Sequence, residues 1–154
     1  MDNSKVIHNF YKAFAKGKAD EMVSYYHPDV IFEDPVFGVL KGEEAKAMWK
    51  MLLNRSKGNL KVTFTDVKVV RNSGEAKWEA VYPFGPDKRM VHNKINAEFE
   101  FKDGKIFRHT DKFDLWKWSR MALGIKGTLL GWSPLVQNKI KSQSKTLLTK
   151  FLEK

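Results

Sequence analysis

Asp103-Gly104-Lys105-Ile106-Phe107-Arg108-His109-Thr110-Asp111-Lys112-Phe113-Asp114-Leu115 opens on a two-residue hairpin signal and continues as a strand with two unlike faces. Strand side chains alternate, so Phe107, His109, Asp111, Phe113 and Leu115 share one face, and Arg108, Thr110, Lys112 and Asp114 share the other. The first face is apolar apart from two ionisable residues, and the second suits water or a subunit contact. A histidine and a carboxylate framed by phenylalanines on a buried face must hydrogen-bond each other or line a cavity, because an unpaired buried charge is prohibitively costly. The pattern predicts such a cavity.

Upstream of this strand the two-residue period recurs. Leu60, Val62 and Phe64 alternate, then Val67 and Val69 resume after a phase shift that predicts a bulge near Thr65. Residues 71–74, Arg-Asn-Ser-Gly, form a hairpin turn. The next strand, 77–84, sets Trp78, Ala80, Tyr82 and Phe84 on one face. After Gly85-Pro86-Asp87, a long strand points Val91, Ile95, Ala97, Phe99 and Phe101 inward and His92, Lys94, Glu98 and Glu100 outward. Four antiparallel strands joined by hairpins are therefore expected in the second half of the domain.

The first half is mostly helical. Ile7, Phe10, Tyr11 and Phe14 make an apolar stripe on a helix capped by Asn3 or Ser4 and ended by Gly17. A short helix from Asp20 ends at His27-Pro28, because the residue before proline is pushed out of helical geometry. A strand at 30–33 places Val30, Phe32 and Asp34 together before Pro35 and Gly38 bend the chain. A third helix, 43–54, carries Ala45, Met48, Trp49 and Leu52, with Glu43 and Glu44 where the helix dipole favours them. After Leu115 come a short helical piece with Trp116, Trp118 and Met121, a loop punctuated by Gly124, Gly127 and Gly131, and a final helix at 133–151 begun by Pro134. Helices followed by hairpin-linked strands give an α+β class, a curved antiparallel sheet wrapped around helices.

Composition narrows the function. The chain of 154 residues suits one domain, 1–154, with 116–154 as a helical extension. Cysteine is absent, which removes disulfides, zinc–thiolate sites and thiol nucleophiles. The amino-terminal residues lack an apolar stretch and no run is long enough to cross a bilayer, so a cytoplasmic location is expected. The net charge is +10, but the lysines are scattered and the arginines isolated, so a solvated basic surface is expected rather than specific nucleic-acid recognition.

Several of these residues carry a family resemblance: Phe10-Tyr11-Lys12-Ala13-Phe14, Gly17, Tyr26-His27-Pro28-Asp29, the run from Val30 through Glu33-Asp34-Pro35, Lys41-Gly42 before a helix, and Asp103-Gly104-Lys105-Ile106 before the last strand. In this order, over residues 4–115, the chain resembles the nuclear transport factor 2-like superfamily, the cone fold of ketosteroid isomerase, limonene-epoxide hydrolase and the SnoaL-like polyketide cyclases. The resemblance implies a pocket between helices and sheet, and a homodimer. It does not imply an activity, because one fold hosts many chemistries.

Aligned with the isomerase, Asp34 falls on its general base, Phe10 on its oxyanion tyrosine and Ala97 on its protonated aspartic acid. Steroid isomerisation by that mechanism would lack the donors that stabilise the enolate. The candidate catalytic residues are Asp34, His109 and Asp111. The candidate ligand-lining residues are Phe10, Phe14, Tyr26, Phe32, Trp49, Trp78 and Phe99. A carboxylate in an apolar pocket has a raised pKa suited to acid–base work. No cofactor is called for, and no metal, since His27 ends a helix and His92 points outward. The partners expected are a small apolar carbonyl compound and a second copy of the chain, with no membrane and no specific nucleic acid. The chemistry expected is isomerisation, cyclisation or hydration, and the rival reading is a binding module without turnover. The tryptophans at 116, 118 and 132 are expected to anchor the last helix over the pocket mouth or a subunit boundary.

Overall fold

In the computed structural model, which describes residues 2–153, the elements run α1 (Asn3–Ala15), α2 (Ala19–Ser24), β1 (Tyr26–Asp34), β2 (Gly38–Lys41), α3 (Glu43–Ser56), β3 (Lys61–Val70), β4 (Ser73–Phe84), β5 (Arg89–Lys102), β6 (Lys105–Lys112), α4 (Leu115–Leu123), α5 (Ile125–Leu130) and α6 (Pro134–Leu152). Six strands form one curved, unclosed sheet in the order β2-β1-β6-β5-β4-β3. The hairpins β3–β4, β4–β5 and β5–β6 are antiparallel, with a register shift between Thr65 and Lys68 where the alternation changed phase. The pairing of β1 with β6 is parallel. Helices α1, α2 and α3 fill the concave side, and along β5 every second residue from Val91 to Phe101 is buried. The convex side is solvated and crossed by ion pairs: Lys112–Glu98 and Arg108–Glu100, both 3.2 Å, and His92–Glu79, 2.5 Å.

Several local expectations are corrected. Asp2, not Asn3 or Ser4, caps α1 by accepting from the Lys5 N–H at 2.8 Å, while the Asn3 side chain donates to the Arg71 carbonyl. The second helix stops at Ser24, so Tyr26, His27 and Pro28 already belong to β1, where proline sits at an exposed strand position. A short strand, β2, follows the Asp34-Pro35 bend and pairs back on β1. In β6, Ile106 pairs with Phe101 and Arg108 with Glu100, so Phe107 is a bulge residue. The bulge moves Phe107 off the His109 face, and its ring meets His27 and the Lys102 ammonium instead.

The glycine-rich stretch after α4 is also helical. Glycine is needed there for contact: a Cβ on Gly127 would land on the Ser119 carbonyl, and one on Gly131 would lie 2.7 Å from the Ser119 Cβ. Replacing Gly127 by Ala gains about 1 kcal/mol of helix propensity but forces a backbone clash costing up to ~3 kcal/mol, so α5 is expected to undock from α4. Limited proteolysis should then cut after Lys126 while amide exchange in β4 and β5 stays unchanged. Unchanged cleavage would contradict this account.

Candidate functional site

The parallel β1–β6 register assembles the site. Phe32 is opposite His109 and Glu33 opposite Thr110, and one residue further along β1 the Asp34 carboxyl feels the charge of Asp111. Adjacent strands lie about 4.8 Å apart. His109 and Asp111, two residues apart on β6, are bonded to each other on the concave side, and Asp34, far earlier in the chain, ends the neighbouring strand within electrostatic reach of Asp111.

His109 is completely buried and is held at both ring nitrogens. Its Nδ1 is 2.7 Å from the Tyr26 hydroxyl and its Nε2 is 2.8 Å from Asp111 Oδ1. Trp49 Nε1 donates to the Tyr26 oxygen at 2.8 Å, and Trp78 Nε1 donates to Asp111 Oδ1 at 3.2 Å. An indole N–H only donates, and a carboxylate only accepts. One arrangement therefore satisfies every partner: Trp49 N–H to Tyr26, Tyr26 O–H to His109 Nδ1, and His109 Nε2–H to Asp111. None of the hydrogen bonds among the described residues ends on Asp111 Oδ2.

The aromatic residues expected to line a hollow instead pack on this chain of groups. Phe99 stacks on the His109 ring at 4.5 Å, and Phe10, Phe32 and Trp49 surround it at 5.1–6.1 Å. Phe14 fills the gap between Trp49 and Trp78. Two cavities lie elsewhere: one of about 620 Å³, open to solvent along α6, and one of about 130 Å³ between α6 and β2.

Exposure grades from the interior toward one end. His109 is 0% and Asp111 3% exposed, whereas Asp34 and Tyr82 are only partly buried. Asp34 Oδ1 accepts from the Val36 and Phe37 N–H groups at 2.9 and 2.6 Å, closing the bend before β2. Burial pushes the Asp34 carboxyl up to about 7; the Phe37 N–H opposes that shift and the charge of Asp111 adds to it. At the same end, the Tyr82 hydroxyl accepts from Trp118 Nε1 at 2.7 Å, and burial holds it as an un-ionised phenol. Helix α4 covers this end, with Leu115 and Trp118 packed against Val91, Tyr82, Phe84 and Phe113.

Two groups extend the site beyond the three candidates. The sequence marks Tyr82 only as an inward-facing strand residue, and nothing in its position signals that Trp118 will reach it. Tyr11 lies under Trp78 and Phe64, and its buried hydroxyl has no hydrogen-bond partner among the described residues. Burial and the charge of Asp111 keep that phenol protonated. The remaining histidines have other partners: His8 meets the Ser4 carbonyl and the Phe64 ring, His27 faces Asp103, and His92 faces Glu79 on the convex side.

The comparisons with known proteins follow the same lines. A protein put forward as a SnoaL-like polyketide cyclase, from Jannaschia sp. CCS1, superposes with a TM-score of 0.68 at 16% identity, over 79% of this chain and 92% of its own. An epoxide hydrolase of M. tuberculosis, resembling limonene-epoxide hydrolase, gives 0.59 at 22% identity, over 86% and 92%. A protein put forward as a polyketide cyclase, from Xanthomonas campestris pv. campestris, gives 0.59 at 21%, over 77% and 94%. These similarities concern the fold. No curated protein matches the sequence. The SnoaL-like domain family matches residues 7–109, from the apolar stripe of α1 to the buried histidine of β6, and the chain belongs to that family.

Proposed function

We propose that this chain carries out cofactor-independent acid–base chemistry, of isomerase, cyclase or hydratase type, on a small and largely apolar carbonyl compound. One observation supports the reading: Asp34, whose carboxyl burial pushes up to about 7, stands on the strand paired with β6 and feels the charge of Asp111, a carboxylate bonded to a buried histidine. A base poised near neutrality takes a proton and returns it with little cost either way. In this reading Asp34 removes a proton next to the carbonyl. The protonated phenols of Tyr82 and Tyr11 donate to the developing oxyanion. Asp111, oriented by His109, receives or delivers the second proton. The substrate enters beside α4, where exposure is greatest, and displaces part of the aromatic packing. The family and the neighbours put forward as cyclases or known as an epoxide hydrolase support this class of reaction.

The test is proton exchange from D2O into a panel of cyclic and open-chain ketones and enones, followed by NMR. Exchange should rise with pH to a plateau above about 7 and fall on the order of 100-fold or more in Asp34→Asn. If Asp34→Asn and Asp111→Asn both exchange as fast as the parent protein, the catalytic reading fails. The enclosure of His109 by four aromatic rings favours a second reading, a module that binds without turnover. A small molecule retained in native mass spectrometry with no exchange activity would select it.

A further inference from the structure

The segment after β6 presents apolar side chains to solvent on a basic background. Within residues 125–135, Ile125 is 79% exposed, Leu129 64%, Leu130 50%, Trp132 65% and Leu135 80%. Single exposed leucines need no explanation, but a contiguous set does. The set does not reflect loose packing, because Gly127 and Gly131 clamp α5 tightly against the buried Ser119 of α4. Small residues face α4 and large apolar ones face away, so the helix is fixed with its greasy edge outward. From Trp116 onward the chain carries eight lysines and arginines against one acidic residue, Glu153, most of the net charge of +10. Lys154 belongs to that count and lies outside the described residues. The family match ends at residue 109, and residues 125–135 lie beyond it.

We propose that residues 125–135 seat the protein on an anionic lipid surface, with Leu129, Leu130, Trp132 and Leu135 entering the headgroup–acyl boundary while Lys117, Lys126 and Lys139 meet the phosphates. Side chains this far exposed protrude, which suits a deformable layer better than a rigid protein groove. Tryptophan favours the membrane–water interface, and lysines beside an apolar edge draw it to negative headgroups. A nucleic acid would find few arginines here, and one of them, Arg120, is already stacked over the Trp116 ring at 4.4 Å. No helix of the described residues is long and apolar enough to cross a membrane, so the attachment is peripheral.

Flotation of the full chain with vesicles of phosphatidylcholine containing a third phosphatidylserine should recover at least ten-fold more protein than vesicles of phosphatidylcholine alone, and added salt should weaken recovery. The pair Leu129→Glu with Leu135→Glu should abolish flotation while leaving the melting temperature and the ketone-exchange rate unchanged. Charge reversal at Lys126 and Lys139 should reduce it several-fold. Three outcomes would overturn the proposal: no recovery with anionic vesicles, recovery indifferent to the Leu129/Leu135 pair, or a homodimer in sedimentation that the same pair dissociates. Binding of a duplex DNA probe through these residues with no binding to vesicles would equally assign the surface elsewhere.

Discussion

Asp34→Asn is expected to make the protein more stable at pH 8 by ~2–4 kcal/mol and to leave it unchanged near pH 3.5. The folded protein holds the Asp34 proton up to about 7, whereas the unfolded chain releases it at the ordinary aspartate value of 3.8. Between those values the native state binds more protons than the unfolded state, so stability falls as pH rises. Below 3.8 both states are protonated and the favourable contribution is complete; above 7 it is lost. Asparagine retains an oxygen for the Val36 and Phe37 N–H groups, so the bend survives without the charge. Urea unfolding of both proteins from pH 3.5 to 8 measures the difference. A gap that does not widen with pH would mean that Asp34 is well hydrated in the native state. A stability gain combined with lost proton exchange would locate a cost that the fold bears for its chemistry.

Tyr26→Phe is expected to destabilise the protein by ~2–5 kcal/mol, although it removes a single oxygen. That oxygen accepts from Trp49 and lies 2.7 Å from His109 Nδ1, so its loss leaves a buried donor and a buried acceptor without partners. A lost partner costs the desolvation of the group left behind, about 1–3 kcal/mol for each. Adding Trp49→Phe removes the orphaned donor, so the double variant should lose less than the sum of the two single ones. Chemical denaturation of the four proteins gives the coupling directly. Strict additivity would show that the tyrosine and tryptophan do not share a bond. Near-ultraviolet circular dichroism should change in Tyr26→Phe, because Trp49 stacks within 11° of parallel on His109.

Most of the sheet could be read from its two-residue period. The inward faces of β4 and β5 emerge as expected because both strands are long, antiparallel and joined by unmistakable turns. Local signals fail where partners are distant. Nothing in residues 26–34 announces that β1 lies parallel to β6, since that contact joins residues roughly eighty positions apart. The pairing is also what draws Tyr26 out of helical geometry and into β1. The four residues of β2 are too few to show a period. Phe107 follows the apolar alternation in sequence and violates it in space, because a bulge adds one residue to the count. The glycines of α5 look like loop residues and are instead the contact surface of a helix. Asp34, His109 and Asp111 were legible as ionisable residues on inward faces. Tyr11 was legible as a hydroxyl that could donate if the first helix were rotated, whereas Tyr82 was not, because its bond to Trp118 is created only by tertiary packing.

The buried chain of bonds from Trp49 to Trp78 is donated into from both ends. Proton hopping needs every member to accept on one side and release on the other, yet both ends are indoles, whose N–H only donates and whose nitrogen has no lone pair free to accept. The two tryptophans act as stoppers on a conducting thread. A proton on the imidazole therefore has no outlet through either indole, and the end of the array that Asp111 occupies is the one nearest the less buried Asp34.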